Sequence, residues 1–470
     1  MNTLTYADYL LAGVLLVLAA FALLGWMAVR RTREPAIVTI LGLTAYWTLV
    51  GGIPVLMAKR VDGGLSTSYI EDKLFFIYID EAYAQTLLAY SAFMLLAVIL
   101  VFLFSPSHQQ DPGASKRWER VSERFSHPTL LMIVALVTVA KLAVVAILVR
   151  ANGDTSLYLA TRMVRGETAS YIRVYQYLNI ISSYSLAAGL SLWLAFPRAR
   201  QARSRLRASL WVAYLALGLE VLAENALLGN RAVPLLVAGA VAVAWIRWRL
   251  IPAARTERGP LITRFIMLCF LGLLAVGLIG VSRGGNLSSP TAVLQSLVEN
   301  AARPEYILES IQSSNEKLSA HMALYGVIRE DPQLSPLASS SYDAYAQLVH
   351  APEDQGFTIH YVAAWWVRSG SVGVLLAALT YALVIVGLHR LSQANRRWWT
   401  AAFALPAATL PAIGVPFIML RSGPESMRGV VIEFILIPGL VCLLPLYVGA
   451  NRRPTPFVTA PPLTTRRSPS

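Results

Sequence analysis

Apolar stretches about 20 residues long recur along most of this sequence, and shorter polar stretches separate them. A helix of roughly 20 apolar residues crosses the ~30 Å hydrocarbon core of a bilayer. The pattern therefore predicts an all-α polytopic membrane protein with about 11 transmembrane helices. The predicted spans are residues 9–29, 36–57, 82–104, 129–149, 177–196, 210–228, 233–246, 265–281, 362–388, 401–420 and 430–448.

The spacing of these spans divides the chain into four parts. Residues 1–282 hold the first eight spans, and residues 362–449 hold the last three. Between them, residues 283–361 form a long polar segment in which apolar residues recur at helical spacing, so we expect a helical loop. Residues 450–470 are rich in Pro, Thr and Arg and are expected to be a disordered tail.

Composition supports a membrane protein and sets the orientation of the chain. Hydrophobic residues make up 56% of the sequence and charged residues 14%, against about one quarter charged in soluble domains. Most of the basic residues behind the net charge of +14 follow the odd-numbered spans or lie between spans seven and eight. The positive-inside rule makes that side cytoplasmic. The amino terminus and the 283–361 loop are then extracytoplasmic, the carboxyl terminus is cytoplasmic, and no nucleic-acid partner is expected.

A second set of arginines lies on the predicted outer side, where topology does not require them. Guanidinium groups near a membrane are costly and usually face a partner or a wet cavity. Arginine binds phosphate oxygens in pairs, so this set indicates a phosphate-bearing substrate. The alternative is that each side chain merely extends to the lipid headgroups. The candidates are Arg165, Arg173, Arg231, Arg283, Arg421 and Arg428.

Glu353 and His360, just before the ninth span, are the candidate acid and base groups. Either side chain can take a proton from a sugar hydroxyl. The alternative is a solvated turn followed by a histidine that caps the span. Glu220 and Glu224 lie one turn apart inside the sixth span; an ion pair with an outer arginine is favoured over a proton or ion path. No metal-ligand, nucleotide-binding or nucleophile-elbow motif is present, so neither a metal nor a cofactor is expected.

Three features together resemble the bacterial oligosaccharide repeat-unit polymerases of the Wzy type, which are related to the O-antigen ligases. They are the tight turn Gly229-Asn230-Arg231, the long outer loop, and the run Gln355-Gly356-Phe357-Thr358-Ile359-His360-Tyr361 that leads into Ser369-Gly370-Ser371-Val372-Gly373-Val374-Leu375-Leu376. The resemblance implies a membrane glycosyltransferase fold of the GT-C-like kind. It also implies a place in the bacterial inner membrane and partners such as a flippase and a chain-length regulator.

The activity that the resemblance implies is polymerisation of O-antigen, capsule or exopolysaccharide. Such enzymes join undecaprenyl-pyrophosphate-linked repeat units at the outer face of the membrane by metal-independent, inverting transfer. By analogy, Arg231 and Arg283 would hold the donor pyrophosphate, and Arg421 with Arg428 would form a second clamp or contact the acceptor. Glu353 or His360 would be the base, and the residues do not decide between them.

Two other functions fit the same sequence. An O-antigen ligase would transfer the glycan to lipid A core or to protein, and these residues do not separate it from a polymerase. A transporter of polysaccharide or lipid-linked sugar belongs to a different class. The odd number of spans and the lack of a visible repeat argue against the transporter.

Overall fold

The computed structural model describes residues 6–32, 34–45, 81–105, 113–152, 168–196, 204–227, 232–253, 258–263, 266–267, 361–420 and 426–451. All regular secondary structure in these ranges is helical. Nearly all of the predicted 283–361 loop, the predicted eighth span and the tail from residue 452 lie outside the described residues.

Most of the described helices overlap predicted spans, whereas the helix Gly113–Arg124 lies in the predicted connection between the third and fourth spans. In the first half the described helices are α1 Tyr6–Thr32, α2 Pro35–Ala45, α3 Glu81–Phe104, α4 Gly113–Arg124, α5 His127–Asn152 and α6 Thr168–Ala195. In the second half they are α7 Ser204–Leu227, α8 Ala232–Trp245, α9 Tyr361–Ser369, α10 Ser371–Gln393, α11 Trp398–Thr409, α12 Pro411–Met419, α13 Ser426–Val431 and α14 Ile437–Asn451. Two π-helical turns, Ile246–Leu250 after α8 and Ile432–Leu436 between α13 and α14, continue their helices without a break.

Five helical stretches among the described residues are long and apolar enough to cross a membrane. They are His127–Ala151, Ser170–Ala195, Val233–Leu250, Ser371–Gln393 and Met427–Asn451. The bent pair α11 and α12 makes a sixth if it counts as one span. The structure thus describes a helical protein with several apolar helices of membrane-spanning length.

Helix α6 lies at the centre of the bundle. In its most apolar 18-residue window, 72% of the residues are buried, the largest share among the five spans. It packs against α5, α8 and α14. Besides large side chains such as Leu186 and Trp193, its buried face carries hydroxyl and amide groups, as is common where membrane helices contact each other. These groups belong to Asn179, Ser182, Ser183, Ser185 and Ser191.

Three glycines bring neighbouring helices into close contact. Gly239 of α8 lies against Ile413, Gly414 of α12 against Phe434, and Gly439 of α14 against Phe403, each without space for a Cβ atom. Membrane helices gain little from the hydrophobic effect and depend on van der Waals contact, which small residues allow. The glycines therefore fix how α8, α12 and α14 pack.

Two predicted spans are interrupted. The ninth was predicted as one helix over residues 362–388, but the backbone breaks at Gly370, whose φ of 60° favours glycine. The spanning helix is therefore α10, and α9 is a separate short helix. The tenth span bends by 61° between α11 and α12, because Pro411 has no N–H to continue the hydrogen bonds of α11.

Contacts gather several chain segments at one end of the bundle, here named the basic end. They are the junction of α1 and α2, helix α4, the π turn after α8, the segment after α10, and the end of α14. The contacts are Arg247 Nη2 to Glu34 Oε2 at 2.7 Å, Arg117 Nε to Asn395 Oδ1 at 3.0 Å, Ser126 N to Pro445 O at 3.1 Å, and the rings of Trp118 and Trp248 with centroids 4.9 Å apart. Arg30, Arg31, Arg124, Arg249 and Arg390 also lie in these segments. The described segments that their charge predicted to share one side thus lie together.

Candidate functional site

The predicted site is described only in part. Arg165, Arg231, Arg283, Glu353, His360 and Arg421 lie outside the described residues. Arg173 and Arg428 are described, and both side chains are exposed. Among the described residues, neither forms an ion pair or a hydrogen bond.

Arg173 and Arg428 lie inside helices, although the sequence had placed both in connecting loops. Helix α6 begins at Thr168, earlier than the predicted span, and α13 begins at Ser426. The first turns of α6 carry exposed polar groups, so a count of apolar residues misses them. Both arginines lie near the ends of their helices that are farthest from the basic end, here named the opposite end.

Tyr361, at the start of α9, anchors three segments at the opposite end. It is fully buried. Its N–H donates a hydrogen bond to the carbonyl of Leu420 at 3.4 Å. Its Oη lies 3.4 Å from the Sδ of Met427 and 2.7 Å from the Oγ1 of Thr380. The rings of Phe93, Trp365 and Tyr381 surround it, with centroids 6.1 to 6.3 Å away.

These contacts fall beside predicted site residues. In the sequence, Tyr361 directly follows His360, Leu420 directly precedes Arg421, and Met427 directly precedes Arg428. The described neighbours of the candidate base and of two candidate phosphate ligands therefore touch one another. Three segments that are far apart in sequence, each next to a predicted site residue, thus meet at one place in the fold.

A second polar group, here named the Lys141 cluster, lies inside the bundle. It comprises Lys141 of α5, Tyr175 of α6, and Glu220 with Glu224 of α7. The Lys141 ammonium donates a hydrogen bond to Oε2 of Glu224 and lies 3.1 Å from Oε1 of Glu220. Lys141 is fully buried, and Tyr175 lies beside the Glu224 carboxylate.

The Lys141 cluster changes one expectation and adds a residue that the sequence reasoning missed. An outer arginine was the favoured partner of Glu220 and Glu224; among the described residues the partner is Lys141, from within a predicted span. The sequence alone could have pointed to Lys141, because it is the one charged residue in the stretch 129–149. The apolar run was taken as a span without considering Lys141, although a charge inside a span usually marks a site with a partner.

The basic end holds a third polar group, centred on Arg247 in the π turn after α8. Its Nη2 donates to Oε2 of Glu34 at 2.7 Å and to Oγ of Ser392 at 2.9 Å, and its Nη1 donates to the carbonyl of Ala408 at 3.2 Å. Nδ1 of His389 lies 3.6 Å from the same Glu34 oxygen. A small cavity adjoins Glu34, His389 and Ser392. The group ties four elements together and is suited to a structural role.

Side chains that can bind metals do not cluster in the described part of the chain. No group of three or more His, Cys, Asp or Glu side chains there is arranged to hold a metal ion. Cys442 is a buried free thiol within α14.

Comparisons with known proteins give no family for the chain. No family model matches the sequence, and neither a curated protein nor a solved structure matches it. The case for a function therefore depends on the sequence pattern and on the geometry above.

Proposed function

We propose that the protein is a polysaccharide polymerase of the bacterial inner membrane. It joins undecaprenyl-pyrophosphate-linked repeat units of an O-antigen, capsule or exopolysaccharide by inverting glycosyl transfer, within a GT-C-like bundle of 11 helices. The opposite end faces away from the cytoplasm, with the amino terminus on that side and the carboxyl terminus in the cytoplasm. A substrate that has already been flipped across the bilayer meets the site there.

One observation carries the proposal: Tyr361 contacts Leu420 and Met427. This anchor connects the segment that follows His360 to the segments that flank Arg421 and Arg428. A glycosyl transfer needs a base and a positively charged clamp at the same place. Arg173 and Arg428, exposed at this end, can take up a phosphate without breaking an ion pair to another described residue.

The chemistry follows from where charge develops. The acceptor hydroxyl attacks the anomeric carbon of the donor, His360 or Glu353 takes the hydroxyl proton, and the bond from the anomeric carbon to the pyrophosphate oxygen breaks. The leaving pyrophosphate gains negative charge as that bond lengthens. Fixed guanidinium groups at Arg231, Arg283, Arg421 and Arg428 therefore stabilise the transition state more than the ground state.

The test is the glycan profile of cells that carry single substitutions His360→Ala, Arg421→Ala or Arg428→Ala. Arg390→Ala is the matched control, because Arg390 is an exposed arginine in the last turn of α10 at the basic end. Each variant is first checked for normal abundance in the membrane. We expect glycans shortened to a single repeat unit and accumulation of the lipid-linked unit in the three site variants, with long chains kept in Arg390→Ala.

Two outcomes would replace the proposal. Long chains that stay on the carrier lipid and never reach their final acceptor would identify a ligase. Unchanged glycans in all three variants would mean that the proposed site residues are wrong and would favour a transporter of polysaccharide or lipid-linked sugar. The buried charges of the Lys141 cluster are the observation that supports a transporter. Proton- or ion-coupled transporters hold such charges inside the membrane.

A further inference from the structure

The charges of the Lys141 cluster do not balance. One ammonium, that of Lys141, faces the carboxyl groups of Glu220 and Glu224. With all three ionised, a net charge of −1 would lie inside the bundle. Burying an uncompensated charge costs several kcal/mol even after relaxation. Among the described residues, no second cation faces the two carboxyl groups, so one more positive charge is needed.

The hydrogen bonds show the same deficit. Oε2 of Glu224 accepts a hydrogen bond from Lys141, and Oε1 of Glu220 is paired with the same ammonium at 3.1 Å. The other two carboxylate oxygens, Oε2 of Glu220 and Oε1 of Glu224, are buried and accept no hydrogen bond from a described residue. Glu224 itself is 6% exposed. These unpaired atoms are acceptors, and a buried acceptor without a donor loses its bond to water without compensation. The Tyr175 hydroxyl beside Glu224 is the one further donor in the described cluster, and it leaves Oε2 of Glu220 without a donor.

We propose that the Lys141 cluster is a proton-binding site. One proton resides on the carboxyl group of Glu220, while the Glu224 carboxylate pairs with the Lys141 ammonium. The proton removes the excess charge and turns one unpaired acceptor into a donor. Glu220 lies one turn from Glu224 on the same face of α7, so its acid group can donate to the free Oε1 of Glu224.

The surroundings favour a proton over a metal cation. Lys141 already occupies the position between the two carboxyl groups and would repel a second cation there. Hard cations need about six oxygen ligands, whereas the described cluster offers the Tyr175 hydroxyl and the two carboxylate oxygens that Lys141 does not hold. Helix α8, which also packs against α7, has no charged residue between Ala232 and Trp245. Other charged groups near the cluster on α5 and α6 are Arg150 and Arg173, both exposed.

Glu220 is less buried than the other two charged members of the cluster. The side chain of Glu220 is 21% exposed, against 6% for Glu224 and 0% for Lys141. Helix α7 runs on for only two turns beyond Glu220 and ends at Leu227. Both carboxyl oxygens of Glu220 are nevertheless buried, so the exposed part of its side chain is the hydrocarbon stem and the proton is held away from solvent. This inference does not depend on glycan polymerisation.

Infrared difference spectroscopy of the purified full-length protein in lipid nanodiscs counts protonated carboxyl groups through their C=O stretch. Charge balance predicts loss of the cluster's band in both Glu220→Gln and Glu224→Gln, because the single remaining carboxylate then balances Lys141. Lys141→Met should double the band, since two carboxyl groups then need protons. Glu123→Gln, an exposed carboxylate of α4, is the control and should leave the band unchanged.

The melting temperature provides a second readout that does not need Lys141→Met to fold. We expect the unmodified protein to lose stability relative to Glu220→Gln as the pH rises, because releasing the proton leaves a buried net negative charge. Replacing choline chloride by sodium chloride at constant pH should leave the melting temperature unchanged. An unchanged carboxyl band in both glutamine variants would mean that Glu220 and Glu224 are both ionised in the unmodified protein. Stabilisation by sodium alone would mean that a metal cation fills the site. Either result overturns the proposal.

Discussion

At the scale of single residues, Arg247 shows how one buried cation can join several helices. Its guanidinium reaches Glu34, Ser392 and the carbonyl of Ala408 at once. Its side chain is 11% exposed and that of Glu34 is 8% exposed. A guanidinium presents several donors in a fixed plane, and an ammonium cannot reproduce that fork. Lysine at this position would keep the charge but lose part of the network.

We therefore expect Arg247→Met to lower the free energy of unfolding by about 3 kcal/mol, because it leaves the Glu34 carboxylate buried without its closest cation. Arg247→Lys should cost less, about 1 kcal/mol for each hydrogen bond lost. The midpoint of SDS-induced unfolding measures both. Arg390→Met, at an exposed position of the same end, is the control and should change little. Equal, small effects at both positions would show that the network adds no stability.

The sequence predicted some of these residues and missed others for a physical reason. Glu220 and Glu224 stood out because carboxylates inside an apolar span are rare. Lys141 and Arg247 were counted with the residues around them, one inside a span and the other in a cytoplasmic connection. Whether a charge is solvated or paired depends on which helices meet, and a single sequence without relatives does not specify helix packing.

At the scale of elements, close contact between helices depends on positions where only glycine fits. Adding a methyl group at Gly414 would overlap the ring of Phe434, a fully buried residue in the π turn before α14. Gly218 of α7 offers a comparison, because no atom would lie within 4 Å of an added Cβ. The two glycines share a helical backbone and differ in what surrounds them.

We expect Gly414→Ala to destabilise the protein by about 1 to 3 kcal/mol, as overpacking does in a tightly packed core. Gly218→Ala should instead stabilise it by up to about 1 kcal/mol through helix propensity. Adding Phe434→Leu to Gly414→Ala should recover part of the loss, because the smaller side chain leaves room for the methyl group. The SDS unfolding midpoint separates these cases. A loss at Gly414 that Phe434→Leu does not reduce would mean that the ring is not the cause.

The apolar runs predicted where most helices lie, but they did not predict where a helix breaks or where it begins. Gly370 and Pro411 are both residues that interrupt helices, yet each lies within an apolar stretch long enough to read as one span. The polar first turns of α6 were assigned to a loop, since a rule based on hydrophobicity stops where polar residues begin. Helical hydrogen bonding does not stop there, which is why Arg173 lies on a helix.

At the scale of the whole molecule, the described helices have two ends of different character. The basic end is held together by cross-links between connecting segments, including the network of Arg247 and the contact of Arg117 with Asn395. The opposite end holds Tyr361 and its contacts, and the Lys141 cluster lies within two turns of the last residue of α7 there. The structure gathers the predicted cytoplasmic segments at one end, but which compartment that end faces is a prediction from the positive-inside rule.

Labelling of single cysteines with a membrane-impermeant maleimide tests that orientation. In a protein whose Cys269 and Cys442 are replaced by alanine, Ser170→Cys places a thiol at an exposed position in the first turn of α6, and Lys116→Cys places one at an exposed position of α4. We expect Ser170→Cys to react in intact spheroplasts and Lys116→Cys to react only after permeabilisation. The opposite pattern would put the Tyr361 anchor on the cytoplasmic side. A polymerase acting on flipped, lipid-linked units could not work there, so the result would reject the proposed function together with the topology.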